Sequence, residues 1–135
     1  MTSNQSIAVT TIFGVGLAFV LAAWAGPASD VCAALADSRS ALYSMLYAKD
    51  KSAQDALKAK VQAASTKLDS ALASMTGVDA KVAADLKVVW DQFKETRDKE
   101  IIPAIYQGNT DDAKKIADGI QYKRFSTMWR IMSCK

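Results

Sequence analysis

The side chains in this sequence equipped for chemistry are two cysteines, a set of carboxylates, four arginines and several aromatic residues interleaved with them. Histidine is absent, which removes both the commonest general base and the commonest transition-metal ligand. Paired acids can run hydrolysis, and a Glu-x-x-His pattern can hold iron inside a helical bundle. The second is impossible without histidine. The acids also sit in structural positions: Asp111 and Asp112 mark a helix start, and Glu95, Asp98 and Glu100 alternate with Lys and Arg as ion pairs on a wet face do. Met45, Met75, Met128 and Met132 lie near apolar stripes with no Met/Cys cluster, so core filling accounts for them and no metal site is expected. No nucleophile–base pair stands out, and no catalysis is expected. Trp90, Arg97, Arg124 and Trp129 combine aromatic faces with guanidinium donors and could line an amphipathic groove, although core or interface packing explains the tryptophans equally well.

Whatever these residues do, helices must place them. The 135 residues suffice for one domain. No charged side chain precedes Asp30, and Ile7 to Ala25 reads IAVTTIFGVGLAFVLAAWA. As a helix it extends about 28 Å, close to the ~30 Å hydrocarbon thickness of a bilayer. Residues 1–28 are therefore expected to be a transmembrane anchor or a cleaved signal segment, and the missing basic n-region favours retention. The charges, 17 Lys plus Arg against 14 Asp plus Glu, are interleaved along the rest, which argues against nucleic acid as a partner.

Residues 29–135 read as four helices. Ser29 or Asp30 caps the first, with Val31, Leu35, Leu42 and Met45 or Leu46 on one face. Asp50 or Ser52 starts the second, where Leu57, Val61, Ala64, Leu68, Ala71 and Met75 alternate steps of four and three. Asp79 caps the third, carrying Val82, Leu86, Val89 and Phe93 towards Pro103, which either kinks or stops it. Asn109 or Thr110 caps the fourth, whose stripe is Ala113, Ile116, Ile120, Met128 and Ile131. Short connections between helices of similar length predict an all-α fold, an up-down-up-down antiparallel four-helix bundle behind the N-terminal segment.

In that topology the start of the first helix and the end of the fourth share one end of the bundle, where Cys32 and Cys134 fall. A disulfide between them is sterically plausible, with two buried thiols as the alternative. Closing a loop of about a hundred residues stabilises by about 4 to 5 kcal/mol on the chain-entropy model. Flanking cysteines suit an oxidising compartment, so the bundle is expected on the periplasmic or extracellular side of a membrane, although a positive-inside count leans weakly the other way.

Residues 37–74 (DSRSALYSMLYAKDKSAQDALKAKVQAASTKLDSALAS) and 89–118 (VWDQFKETRDKEIIPAIYQGNTDDAKKIAD) carry a resemblance. The Trp90 and Phe93 pair, Arg97-Asp98, the Ile101-Ile102-Pro103-Ala104 run, and Gly108 followed by an acid and Ala113 resemble the four-helix-bundle sensor domain of methyl-accepting chemotaxis receptors. The resemblance implies a non-enzymatic bundle projecting from an N-terminal transmembrane helix, a homodimer, and small ligands bound between helices. It further implies that Arg39, with Tyr43 one turn later, holds an anionic ligand, although a solvated surface arginine is the plainer reading. The candidate ligand set is thus Arg39, Tyr43, Trp90, Arg97 and Arg124. The chain stops at Lys135, so the expected role is ligand or partner binding as a helper to a larger membrane protein. The alternative is a structural accessory subunit of a membrane complex, with Gly14 and Gly16 permitting close helix approach. Ser133-Cys134-Lys135 also looks like the opening of the haem-attachment motif that ends the cytochromes c′. The second cysteine and the axial histidine are missing, so no haem or other cofactor is expected.

Overall fold

The computed structural model describes residues 26–135, and every regular element among them is helical. The proposed anchor, Ile7 to Ala25, lies outside the described residues; no helix within them is long and apolar enough to cross a membrane. Four rods form the bundle. The first is α1 (Pro27–Tyr47) and the second α2 (Lys51–Ala73). A short 3-10 turn, Gly77–Asp79, leads into the third, made of α3 (Ala80–Thr96), a π-helical turn (Arg97–Ile101) and α4 (Ile102–Tyr106). The fourth is α5 (Thr110–Ile116), a second π-helical turn (Ala117–Gln121) and α6 (Tyr122–Ile131).

Cross-rod hydrogen bonds fix the directions. Asp55 meets Tyr106, Ser65 meets Arg97 and Asp69 meets Trp90, so numbers rise on the second rod as they fall on the third. Between the first and fourth rods the same inversion links Cys32 with Cys134 and Tyr43 with Asp118. Neighbouring rods are therefore antiparallel, as the sequence predicts.

Local chemistry explains several element boundaries, although Asp79 and Asn109 stand at their N-caps without a side-chain cap hydrogen bond. The Asp50 carboxylate accepts the Ala53 N–H at 2.8 Å and caps α2. The first rod starts earlier than Ser29 or Asp30, with Gly26 as N-cap and Pro27 in its first turn, where a fixed φ and a missing N–H cost nothing. Pro103 neither stops nor sharply interrupts the third rod. A proline ring clashes with the carbonyl four residues back, and the π turn immediately before it widens the helix there, the Ile102 N–H bonding to the Arg97 carbonyl. The rod then ends at Gly108, whose φ of +78° disfavours any side chain.

The core contains Leu35, Leu42, Met45, Leu68, Leu86, Trp90, Ile101 and Met128, each fully buried. Burying a side chain of this kind stabilises by about 1.5 to 3 kcal/mol. The stripes on the first two rods match expectation. On the third the deepest line runs through Ala83, Leu86, Trp90 and Phe93, with Val82 and Val89 at its margin. On the fourth Ile120 is 46% exposed, and Ala117 and Gln121 are buried in its place. The π turn is the cause, because its extra residue per turn rotates the following positions out of the 3.6-residue phase.

Candidate functional site

Arg39 and Tyr43 stand one turn apart on α1, and α6 brings Tyr122, Phe125 and Trp129 against them. The last three recur at steps of three and four, so they share one face of α6. The Arg39 guanidinium lies 4.8 Å from the centroid of the Phe125 ring, 5.1 Å from Tyr43 and 5.4 Å from Tyr122. Phe125 and Trp129 stack on each other at 5.3 Å.

Ring contacts satisfy the faces of a guanidinium and leave its N–H donors, which point outward in the plane, to find acceptors elsewhere. For Arg39 no acceptor is supplied at Nε, which is buried without a hydrogen-bond partner. No ion pair among the described residues involves Arg39, and no carboxylate side chain occurs before Asp30. A partly desolvated charge with one buried, unfilled N–H and no carboxylate partner is a costly arrangement for structure alone, and its charge is left free to attract an anion.

The space beside it is open. A cleft of about 510 Å³ runs from Arg39 along Tyr122, Phe125 and Trp129 to Arg130 and Cys134. A second, of about 450 Å³, shares Arg39, Phe125 and Trp129 and extends to Tyr43. Both fall within the range usual for small-molecule sites. The Cys32–Cys134 disulfide, with Cα atoms 5.7 Å apart, ties the first rod to the chain end that forms the floor of the larger cleft. Tyr43 lines the second cleft. Its hydroxyl donates to Asp118 Oδ1 at 2.8 Å and to the Ala117 carbonyl at 3.2 Å. Burial, reinforced by the Asp118 carboxylate, holds that phenol above its usual pKa, so it stays protonated and fixed.

The remaining residues singled out by sequence lie elsewhere. Trp90 is fully buried, stacks on Phe93 at 5.5 Å and donates to Asp69 at 2.8 Å. Arg97, 3% exposed, donates to Ser65 Oγ at 2.7 Å and to both carboxylate oxygens of Asp98 at 2.8 and 3.0 Å. Both belong to the interior, at the seam of the second and third rods. Arg124 braces the third rod against the fourth, donating to Thr96 Oγ1 at 2.6 Å and Gln121 Oε1 at 3.0 Å. The structure thus gathers Arg39, Tyr43 and Trp129 at one cleft and uses Trp90, Arg97 and Arg124 in packing. Tyr122, Phe125 and Arg130 escape the sequence reading, although Tyr122, Phe125 and Trp129 already share helical spacing. Among the described residues no three His, Cys, Asp or Glu side chains come together as metal ligands.

The described residues thus form one antiparallel four-helix bundle, with this cleft between its first and last rods. The family model of the four-helix-bundle sensory module for signal transduction matches residues 26–132, and the chain belongs to that family, that of chemotaxis-receptor sensor bundles. No curated protein and no solved structure matches the chain.

Proposed function

We propose that this protein is a non-enzymatic, membrane-anchored sensory bundle on the periplasmic or extracellular side, taking a small anionic ligand in the cleft at Arg39. The observation that carries the reading is the Arg39 guanidinium itself, set against three aromatic rings, without an ion-pair partner among the described residues and lining both open clefts. Membership of the sensory family supports the role, and the disulfide suits an oxidising compartment. Anchoring rests on the length and apolarity of Ile7 to Ala25. In this reading the bundle reports to a larger membrane protein, or to a second copy of itself, as its helper module.

Thermal unfolding of the full chain in detergent, with succinate, citrate and benzoate as probes, tests the ligand site. A saturable rise in Tm with at least one probe is expected, lost in Arg39→Gln. No rise with any of them overturns the cleft as an anion site. Washing native membranes with alkaline carbonate tests the anchor: the protein remains in the pellet, and release into the supernatant refutes anchoring. Mild-detergent purification tests the helper role, the expectation being co-migration with a membrane protein or a dimer.

A further inference from the structure

Resting on the cleft reading just given, we infer that the ligand is an aromatic carboxylate, its acid group held by Arg39 and Arg130 and its ring laid against Phe125 and Trp129. Arg39 and Arg130 line the same cleft, so its two guanidinium groups come from different rods. Neither forms an ion pair among the described residues. Cations without carboxylate partners facing one cavity select for an anion, and a planar fork matches a carboxylate in particular.

What lies between those cations sets the rest of the ligand. A short aliphatic diacid needs a cationic donor at each of its two ends and gains little from flat rings between them. This cleft offers the Phe125–Trp129 stack and the Tyr122 ring instead, with Ser126 and Ser133 as its small hydroxyl side chains. A third ring extends an offset stack favourably, and flat aromatic faces gain little from a flexible chain. The Arg39 side chain is already pinned between rings, so its N–H edge is oriented before any ligand arrives, and little side-chain entropy is lost on binding. Trp129 belongs to both clefts, so the ring of the ligand reaches it from either side of Arg39.

The test uses the full chain in detergent with benzoate, phenylacetate and indole-3-acetate as aromatic acids, succinate as the aliphatic anion and benzamide as the uncharged ring. Calorimetry and tryptophan fluorescence are the readouts. At least one aromatic acid should bind at least about tenfold more tightly than succinate, equivalent to about 1.4 kcal/mol, and benzamide should not saturate. Binding should quench fluorescence in the wild type and leave Trp129→Phe unquenched while calorimetry still registers it. Arg130→Gln, at an exposed position that leaves the core intact, should weaken the aromatic acids at least about fivefold. Succinate binding as tightly as the aromatic acids overturns this inference and leaves the anion site standing. Benzamide matching the acids overturns the role of the arginines. Failure of succinate and of all three aromatic acids overturns both the inference and the cleft on which it rests.

Discussion

The Tyr43 hydroxyl sits 2.8 Å from Asp118 Oδ1, joining the first rod to the π turn of the fourth at the edge of the Arg39 cleft. The bond lies on a partly exposed surface, so its net contribution is modest. Tyr43→Phe is expected to cost about 1 kcal/mol, lowering Tm by about 4 °C in a domain of this size. The pH dependence has a definite sign. Burial first, and the Asp118 bond second, raise the folded phenol above the ordinary value of 10.0. A group whose folded pKa is raised gives its full stabilisation below the unfolded pKa and loses it as pH rises through the folded one. The gap between wild type and Tyr43→Phe in urea titrations should therefore be constant at neutral pH and shrink above pH 10. A gap that widens with alkali would contradict the assignment.

Arg97 places a full charge inside the bundle, with Ser65 Oγ and the half-exposed Asp98 carboxylate as its partners. Removing the carboxylate strands a buried guanidinium, whereas replacing the arginine by an apolar side chain of similar length leaves Ser65 Oγ donating to the Val61 carbonyl and the Asp98 carboxylate open to water. Asp98→Ala should cost about 2 to 4 kcal/mol, and Arg97→Met should cost less. Chemical denaturation of the two variants decides the order. If Arg97→Met is the worse of the two, the ion pair contributes more than its desolvation takes away.

The outline of the bundle was legible because it depends on periodicity. The stepping of Leu57, Val61, Ala64, Leu68 and Ala71 on α2 continues without interruption, and the structure keeps the register it implies. The same logic failed at Ile120. A π turn has no strong signature: Ala117–Gln121 holds a glycine but no proline, and the extra residue shows only in which side chains end up buried. Arg97 is illegible for a similar reason, because a charged residue on an apolar stripe reads as a surface or ligand group until Ser65, about four turns from the start of α2, is seen to meet it. The cleft was half legible. Arg39 and Tyr43 stand one turn apart in the sequence, but their partners on α6 lie more than seventy residues away, and only the antiparallel closure of the fourth rod on the first brings them together.

Cys32 and Cys134 are separated by 102 residues and join the first and fourth rods at one end of the bundle. Closing so long a loop stabilises by about 4 to 5 kcal/mol if the effect is mainly on unfolded-chain entropy. Because Cys134 also floors the larger cleft, reduction should act twice. Under dithiothreitol, or in the double substitution Cys32→Ser with Cys134→Ser, the urea midpoint should fall and binding of the aromatic acids should weaken in parallel. A reduced protein with unchanged midpoint and affinity would show that packing of α6 on α1 alone holds the cleft.

The π turn of the fourth rod makes one further contrast measurable, since it decides which face of that rod is inside. Ala117 is fully buried and Ile120 is 46% exposed, opposite to the assignment that a regular 3.6-residue stripe gives Ile120. Enlarging a buried alanine forces its neighbours off their rotamers, so Ala117→Leu should cost about 1 to 3 kcal/mol. Removing apolar surface from an exposed position away from caps and networks changes little, so Ile120→Gln should stay within about 0.5 kcal/mol of wild type. Deleting Gly119 combines the two effects: it removes the extra residue of the turn, restores the α-helical phase and swings Ile120 inward while carrying α6 out of register with α1. Circular dichroism should then report retained helix with a lowered Tm, and the Arg39 cleft should lose its affinity for aromatic acids, because Phe125 and Trp129 no longer face it. If Ile120→Gln proves as costly as Ala117→Leu, the fourth rod runs as an uninterrupted α-helix and the phase shift is wrong.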